Sequence, residues 1–198
     1  MSNNILFQAV CENYNDIINL TSPPARNYAR KYQFDYSLDV KPHRFYKRCN
    51  AWNKIFKIRD YFKDGYDWVF CIDGDLLIYK FDKDIFDYVK SGKSIIFCSD
   101  GAGDKLYNFN TGAMLLKNNE VSNFLIDNTI NTQKEIYFNK RQWEQNAMQE
   151  IVKDNEDLFQ EHIQICGSND FNHDSAWVYH PADKFNKQEK IDCLREKL

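Results

Sequence analysis

The chain has 198 residues, 43% apolar and 16% aromatic, enough to bury one sizeable core and short for two independent domains, so 1–198 reads as a single domain. A formal charge of −3, from 26 basic and 29 acidic residues, excludes the global positive field that holds nucleic-acid backbones or anionic membranes, and no nucleic-acid partner is expected. Met1 to Val10 carries no basic segment followed by a long apolar run, and about 18 consecutive apolar residues occur nowhere, which indicates neither export nor a membrane span and implies a cytoplasmic protein.

Ile5 to Val10 reads as a short buried strand. Thr21-Ser22-Pro23-Pro24 then supplies a cap and first-turn prolines for a helix through Tyr32. Asn19-Leu20-Thr21 matches a glycosylation sequon, which without a secretory signal is an accident of an Asn-rich sequence. Tyr36 to Val40 suggests a second strand, and the apolar residues between Phe45 and Phe62 fit one face of a helix. Trp68 to Ile72 is continuously apolar, as in a strand covered on both faces, and ends in Asp73-Gly74-Asp75. Leu76 to Tyr79 resumes briefly, Lys83 to Lys90 looks helical, and Ser94 to Cys98 is another buried strand. Ala113 to Leu116, Val121 to Ile126, Trp143 to Val152, Ile163 to Cys166 and Trp177 to Tyr179 follow as strand, helix, helix, strand and strand, before a charged helical tail over Lys184 to Leu198. Such alternation implies an α/β domain with a mainly parallel central sheet. The six cysteines (Cys11, Cys49, Cys71, Cys98, Cys166 and Cys193) form no CxxC pair and read as buried free thiols.

Ligands of open α/β sheets collect beyond the carboxyl ends of the strands, where Asp73-Gly74-Asp75 falls. Two carboxylates one residue apart can face a hard divalent cation, Mn²⁺ or Mg²⁺, while Gly74 leaves room for a phosphate and permits unusual backbone angles. Asp-Gly between apolar runs is also a favoured hairpin turn, and both readings stand on these three residues alone. An EF-hand is disfavoured, because Leu77 and Ile78 occupy places where an oxygen ligand and the tight-turn glycine belong. Asn110-Thr111-Gly112 can bind sugar hydroxyls or simply lead into a strand, and Asp100, at the end of its own strand, can bind a donor sugar. Trp52 and Trp143 anchor helices in the core, and His43, His162 and His173 have no companion motif.

Four segments in order carry a resemblance: Ala51-Trp52-Asn53-Lys54, Tyr66 to Asp75, Asn110 to Leu116, and Trp143-Glu144-Gln145-Asn146-Ala147. Together they resemble the GT-A glycosyltransferases with a DxD motif, nearest the eukaryotic α-galactosyl, α-mannosyl and α-xylosyltransferase family, over about Trp52 to Lys184. The resemblance implies a nucleotide-diphospho-sugar transferase fold in which Asp73 and Asp75 bind Mn²⁺ (or Mg²⁺) and the donor diphosphate. It further implies His180 as a metal ligand, Lys184 as a phosphate contact, Lys54 as a charge near the donor, and Glu144-Gln145 near the reacting sugar carbon. The partners so implied are a nucleotide sugar, with UDP the preferred nucleotide, and a glycan or glycoprotein acceptor. Two other functions compete: a phosphotransferase of the haloacid dehalogenase type, which also ends an apolar strand in Asp-x-Asp but lacks its usual Thr or Val at Leu77, and a noncatalytic nucleotide- or carbohydrate-binding module.

Overall fold

The computed structural model describes residues 3–10, 14–39, 48–138, 143–167, 169–172, 177–181 and 186–198. In chain order these form β1 (Asn4–Ala9), α1 (Asn15–Lys31), β2 (Asp35–Asp39), α2 (Asn53–Lys63), β3 (Trp68–Asp73), β4 (Leu77–Ile78), β5 (Ile95–Ser99) and β6 (Phe109–Lys117). There follow α3 (Glu120–Asn131), α4 (Trp143–Asp154), the single turn α5 (Glu156–Phe159), β7 (Ile163–Cys166), β8 (Val178–Tyr179) and α6 (Lys187–Lys197).

Six strands make the central sheet in the order β2-β1-β3-β6-β5-β7, and all its neighbours pair in parallel except where β6 runs antiparallel to β3 and β5. Both faces are covered, as the unbroken apolar strands require. Ile5, Phe7, Val69 and Cys71 point to one side, packing with Ile55, Ile58 and Phe62 of α2, Leu125 and Ile126 of α3 and Met148 of α4. Leu6, Phe70 and Ile72 point to the other, against Ala25, Tyr28 and Ala29 of α1. Full burial of side chains of this size contributes about 1.5–3 kcal/mol each, so the two layers hold the carboxyl edge of β1 and β3 firmly. Cys71, Cys98 and Cys166 are buried free thiols within this core.

Several elements depart from the sequence reading. The first helix begins at Asn15, two turns before Thr21-Ser22, and carries Pro23 and Pro24 inside it. Interior prolines cost helix hydrogen bonds, but the buried stripe Ile17, Ile18, Thr21, Ser22, Ala25, Tyr28, Ala29 runs straight through them, and packing decides. Lys83 to Lys90 holds only a 3-10 turn, Ile85–Tyr88, capped by Asp84, because Ile85 alone of its residues is buried and no apolar stripe sustains a longer helix. The helix expected from Phe45 starts as a 3-10 turn at Asn50–Trp52; residues 40–47 lie outside the described residues. β6 begins at Phe109 rather than Ala113, and β8 pairs with β4 in a separate two-stranded ladder instead of joining the central sheet. The tail docks rather than floats: Ile191 and Leu194 of α6 pack with Ile17 and Leu77. No helix among the described residues is long and apolar enough to cross a membrane.

Candidate metal and donor site

β3 pairs with β1 so that Asp73 stands level with Ala9 at the carboxyl edge of the sheet. The chain then turns, with the Leu76 amide donating to the Asp73 carbonyl at 3.0 Å, and leaves in β4, which pairs with β8. The acidic segment is therefore a strand-end turn and not a hairpin. Gly74 does not adopt a left-handed backbone, in contrast to Gly65, Gly92, Gly101 and Gly103. Its missing side chain is explained by close approach instead: a Cβ there would lie 2.8 Å from the Ala9 carbonyl oxygen and 3.2 Å from Ile18 Cδ1, so the space expected for a phosphate is filled by β1 and α1.

His180 follows β8 and closes on Asp75, with Nε2 at 3.1 Å from Oδ1. Its other ring nitrogen, Nδ1, lies 2.7 Å from the Asn172 side-chain oxygen. Asn172 Nδ2 in turn donates to Asn110 Oδ1 at 2.8 Å, which assigns Asn172 Oδ1 as acceptor and His180 Nδ1 as donor, leaving Nε2 aimed at the carboxylates. Asn110 Oδ1 also accepts from the Gly112 amide at 2.6 Å. Asn110 and Gly112 reach this edge because β6 runs backward relative to its neighbours and its first residues lie beside Asp73. A register shift opposite Phe97 and Cys98 bulges the strand here, the kind of irregularity that re-aims side chains beside functional sites.

Behind Asp73 lies a buried ion cluster. Lys54, 3% exposed, places Nζ 2.9 Å from Asp73 Oδ1, 2.9 Å from Glu144 Oε1 and 2.9 Å from the Thr111 carbonyl. The Thr111 hydroxyl donates to Glu144 Oε1 at 3.1 Å, and the Thr111 amide donates to Gln145 Oε1 at 3.1 Å, tying the first turn of α4 to β6. The second Glu144 oxygen is buried with no hydrogen-bond partner among the described residues. Asp100 stands apart at the end of β5, accepting from the Ala102 amide at 2.8 Å and from Gln149 Nε2 at 3.2 Å. Lys184 and His173 lie outside the described residues. A lysine that sequence reasoning passed over sits in the cluster instead: Lys190 of α6 is buried and its ammonium contacts Asp75 Oδ2. Nothing in the local sequence marks it, because it stands in a charged tail where lysines are expected.

The electrostatics divide the two aspartates. Burial raises the Asp75 carboxyl, but His180 and Lys190 outweigh it and hold the group well below the usual carboxylate range. For Asp73 burial wins, assisted by the Asp75 charge, and the carboxyl is pushed up despite Lys54 and His180. Burial works against the Lys54 ammonium, yet Asp73 and Glu144 reverse the direction and raise it.

Asp73, Asp75 and His180 each offer one ligand atom, and these atoms all lie within 4.8 Å of one another. Two carboxylates and an imidazole are oxygen and nitrogen donors of the kind a divalent cation such as Mn²⁺ or Mg²⁺ would take. The residues present therefore fit a divalent cation. Gly112 secures the arrangement, since a Cβ there would meet His180 Cε1 at 2.5 Å and Nδ1 at 2.8 Å. In Gly112→Ala the imidazole must leave the Asn172 oxygen, and metal affinity is expected to fall about 10–100-fold, as for other losses of a ligand's supporting contact. Titration of the purified variant with Mn²⁺ checks this, and unchanged affinity would remove His180 from the ligand set.

The fold is that of GT-A glycosyltransferases. The chain superposes on a glycosyltransferase involved in glycosylation of the major capsid of PBCV-1, over 99% of this chain and 100% of that one, with a TM-score of 0.75 and 12% identity. It is similar also to the galactosyltransferase LgtC in complex with donor and acceptor sugar analogues (98% and 100% covered, TM-score 0.57, 11% identity). A third likeness is to a mutant of Drosophila β1,4-galactosyltransferase 7 in complex with manganese, UDP-Gal and xylobiose (96% and 74%, TM-score 0.55, 12% identity). At these identities the likeness is one of fold. Neither a protein-family profile nor a curated protein sequence matches the chain.

Proposed function

We propose that this protein is a metal-dependent glycosyltransferase that moves a hexose or related sugar from a nucleotide diphosphate donor, preferably a UDP-sugar, to a glycan or protein-linked acceptor. The observation that carries the reading is the Asp73, Asp75 and His180 cluster at the carboxyl edge of a GT-A sheet. The Drosophila structure, solved with manganese, UDP-Gal and xylobiose, supports both the cation and the class of donor and acceptor.

Asp73, Asp75 and His180 would hold the divalent cation, which when bound would supply Lewis-acid neutralisation of the diphosphate. Asn172 and Asn110 keep the His180 ring turned so that Nε2 faces the carboxylates. Lys54 and Lys190 balance the two aspartates and keep positive charge beside the leaving group, with Lys184 a further phosphate contact. Glu144 and Gln145 stand next to Lys54 and Thr111, where a carboxylate can stabilise positive charge on the sugar carbon. Asp100 and the side chains of Asn110 and Thr111 beside Gly112 go to the donor sugar in this reading, with Asp100 set apart from the cation cluster beside Gln149. The phosphotransferase reading is weaker, because the solved structures that share the fold are glycosyltransferases and Leu77 stands where that class usually has Thr or Val.

A panel of UDP- and GDP-sugars with Mn²⁺, read by thermal stabilisation and slow donor hydrolysis, tests the proposal. One donor at 100 times its Kd adds about 2.7 kcal/mol, roughly 5–10 °C in Tm for a chain of this size, and the shift is expected to vanish in EDTA. A panel in which no nucleotide sugar stabilises the protein, or in which stabilisation survives chelation, would sink the metal-bridged donor site.

A further inference from the structure

The turn that carries both aspartates is held from outside the site by two buried polar side chains. Gln8 on β1 and Thr21 on α1 are both fully buried. The Thr21 hydroxyl lies 2.7 Å from the Gly74 carbonyl oxygen and 3.3 Å from the Ile17 carbonyl of its own helix; with one proton to give, it donates to the nearer. Gln8 Nε2 spends its two N–H groups on Thr21 Oγ1 at 3.0 Å and on the same Gly74 oxygen at 3.3 Å. Tyr36 on β2 donates its hydroxyl to Gln8 Oε1 at 2.9 Å, which fixes the orientation of the amide. The relay runs in one direction, Tyr36 to Gln8 to Thr21 to Gly74, and uses both Gln8 Nε2 protons and the Thr21 hydroxyl proton.

Satisfied buried networks of this kind impose a unique geometry, and here the terminal acceptor is the carbonyl of the glycine that separates the two acidic residues. The Gly74 carbonyl lies in the peptide plane that leads to the Asp75 Cα. Fixing that plane fixes the direction in which the Asp75 carboxylate leaves the backbone relative to Asp73. The Leu76 amide closes the turn onto the Asp73 carbonyl, so the bonds to the buried Gly74 carbonyl are a second, separate anchor of the same turn.

We propose that Thr21 and Gln8 are positioning residues of the metal site: their two donors on the Gly74 carbonyl set the relative aim of Asp73 and Asp75 and thereby the affinity for the divalent cation. The inference rests on the metal-binding reading of the preceding section. It also gives the Thr21 hydroxyl a task within the fold and away from solvent.

The test uses the full chain and Mn²⁺ alone, titrated calorimetrically into wild type, Thr21→Val and Thr21→Ser, with folding followed by circular dichroism. Thr21→Val keeps the shape and removes the donor; Mn²⁺ affinity is expected to fall about 10–100-fold and the Mn²⁺ concentration for half-maximal turnover to rise with it. Thr21→Ser is expected to restore both. Wild type that binds Mn²⁺ beside a folded Thr21→Val of equal affinity overturns the positioning role and leaves the metal site standing. Wild type that binds neither Mn²⁺ nor Mg²⁺ overturns the metal site itself and this inference with it. Should Thr21→Val not fold, Gln8→Leu carries the same comparison, since it removes one donor from the Gly74 carbonyl and leaves the hydroxyl; weakened Mn²⁺ binding supports the proposal and unchanged binding overturns it.

Discussion

Replacing Lys54 by methionine is expected to cost about 3–5 kcal/mol of folding stability, the usual result of removing one partner from a buried ion pair. The reason lies in what remains. Glu144, with a side chain 5% exposed, keeps only the Thr111 hydroxyl on Oε1 and no partner among the described residues on Oε2, while Asp73 loses its nearest positive charge. At about 2–4 °C per kcal/mol for a chain of this length, Tm falls by roughly 6–20 °C. Were Lys54 an ordinary surface lysine of a helix, the change would stay within about 0.5 kcal/mol. The double variant Lys54→Met, Glu144→Gln is expected to recover much of the loss, because no lone carboxylate then stays buried, and such coupling is what a double-mutant cycle measures. Equal losses in the single and double variants would show that Lys54 contributes through packing of its stem alone.

Lys54 also marks how far the residues alone could be read. Its position on the helix before β3 was legible, and so was the unbroken apolar run Trp68 to Ile72 that places the acidic turn at a sheet edge. That Lys54 points inward was not, because helix lysines are usually solvated and the partners that make its burial tolerable, Asp73, the Thr111 carbonyl and Glu144, come from three other segments of the chain. The same limit applies elsewhere. The Thr-Ser-Pro-Pro run carries a local helix-start signal, and the buried stripe that overrides it is visible only once Leu6 and Phe70 provide a surface to pack on. The three-residue shift of β6 against β5, which brings Asn110 to His180 through Asn172, is a property of pairing, which no local pattern encodes. Lys190, Thr21 and Gln8 were missed for the corresponding reason: a charged tail, a helix-start motif and a short strand account for them locally, and only the fold brings them to Asp75 and Gly74.

Glu144→Gln is expected to lower turnover by about 10²–10⁴-fold, the range typical of a side chain that acts in the transition state, while donor affinity changes little. The carboxylate stands at the first turn of α4, with one oxygen shared between Lys54 and Thr111 and the other unpartnered among the described residues. On the proposed function, positive charge grows on the reacting carbon as the sugar leaves the diphosphate, and a negative charge already fixed in a region poor in water would stabilise that change without reorganisation. The amide of glutamine can still accept from Thr111, so the turn of α4 survives while the charge is lost. Asp75→Asn, assayed alongside, should show the opposite pattern, weakened metal and donor binding, because Asp75 belongs to the cation cluster. The comparison needs donor affinity by calorimetry and turnover at saturating donor, with the folded fraction checked for each variant. Normal turnover in Glu144→Gln would reduce the residue to a structural partner of Lys54. A parallel loss of donor affinity and turnover would place its action on the diphosphate, through Lys54 and Asp73, rather than on the sugar.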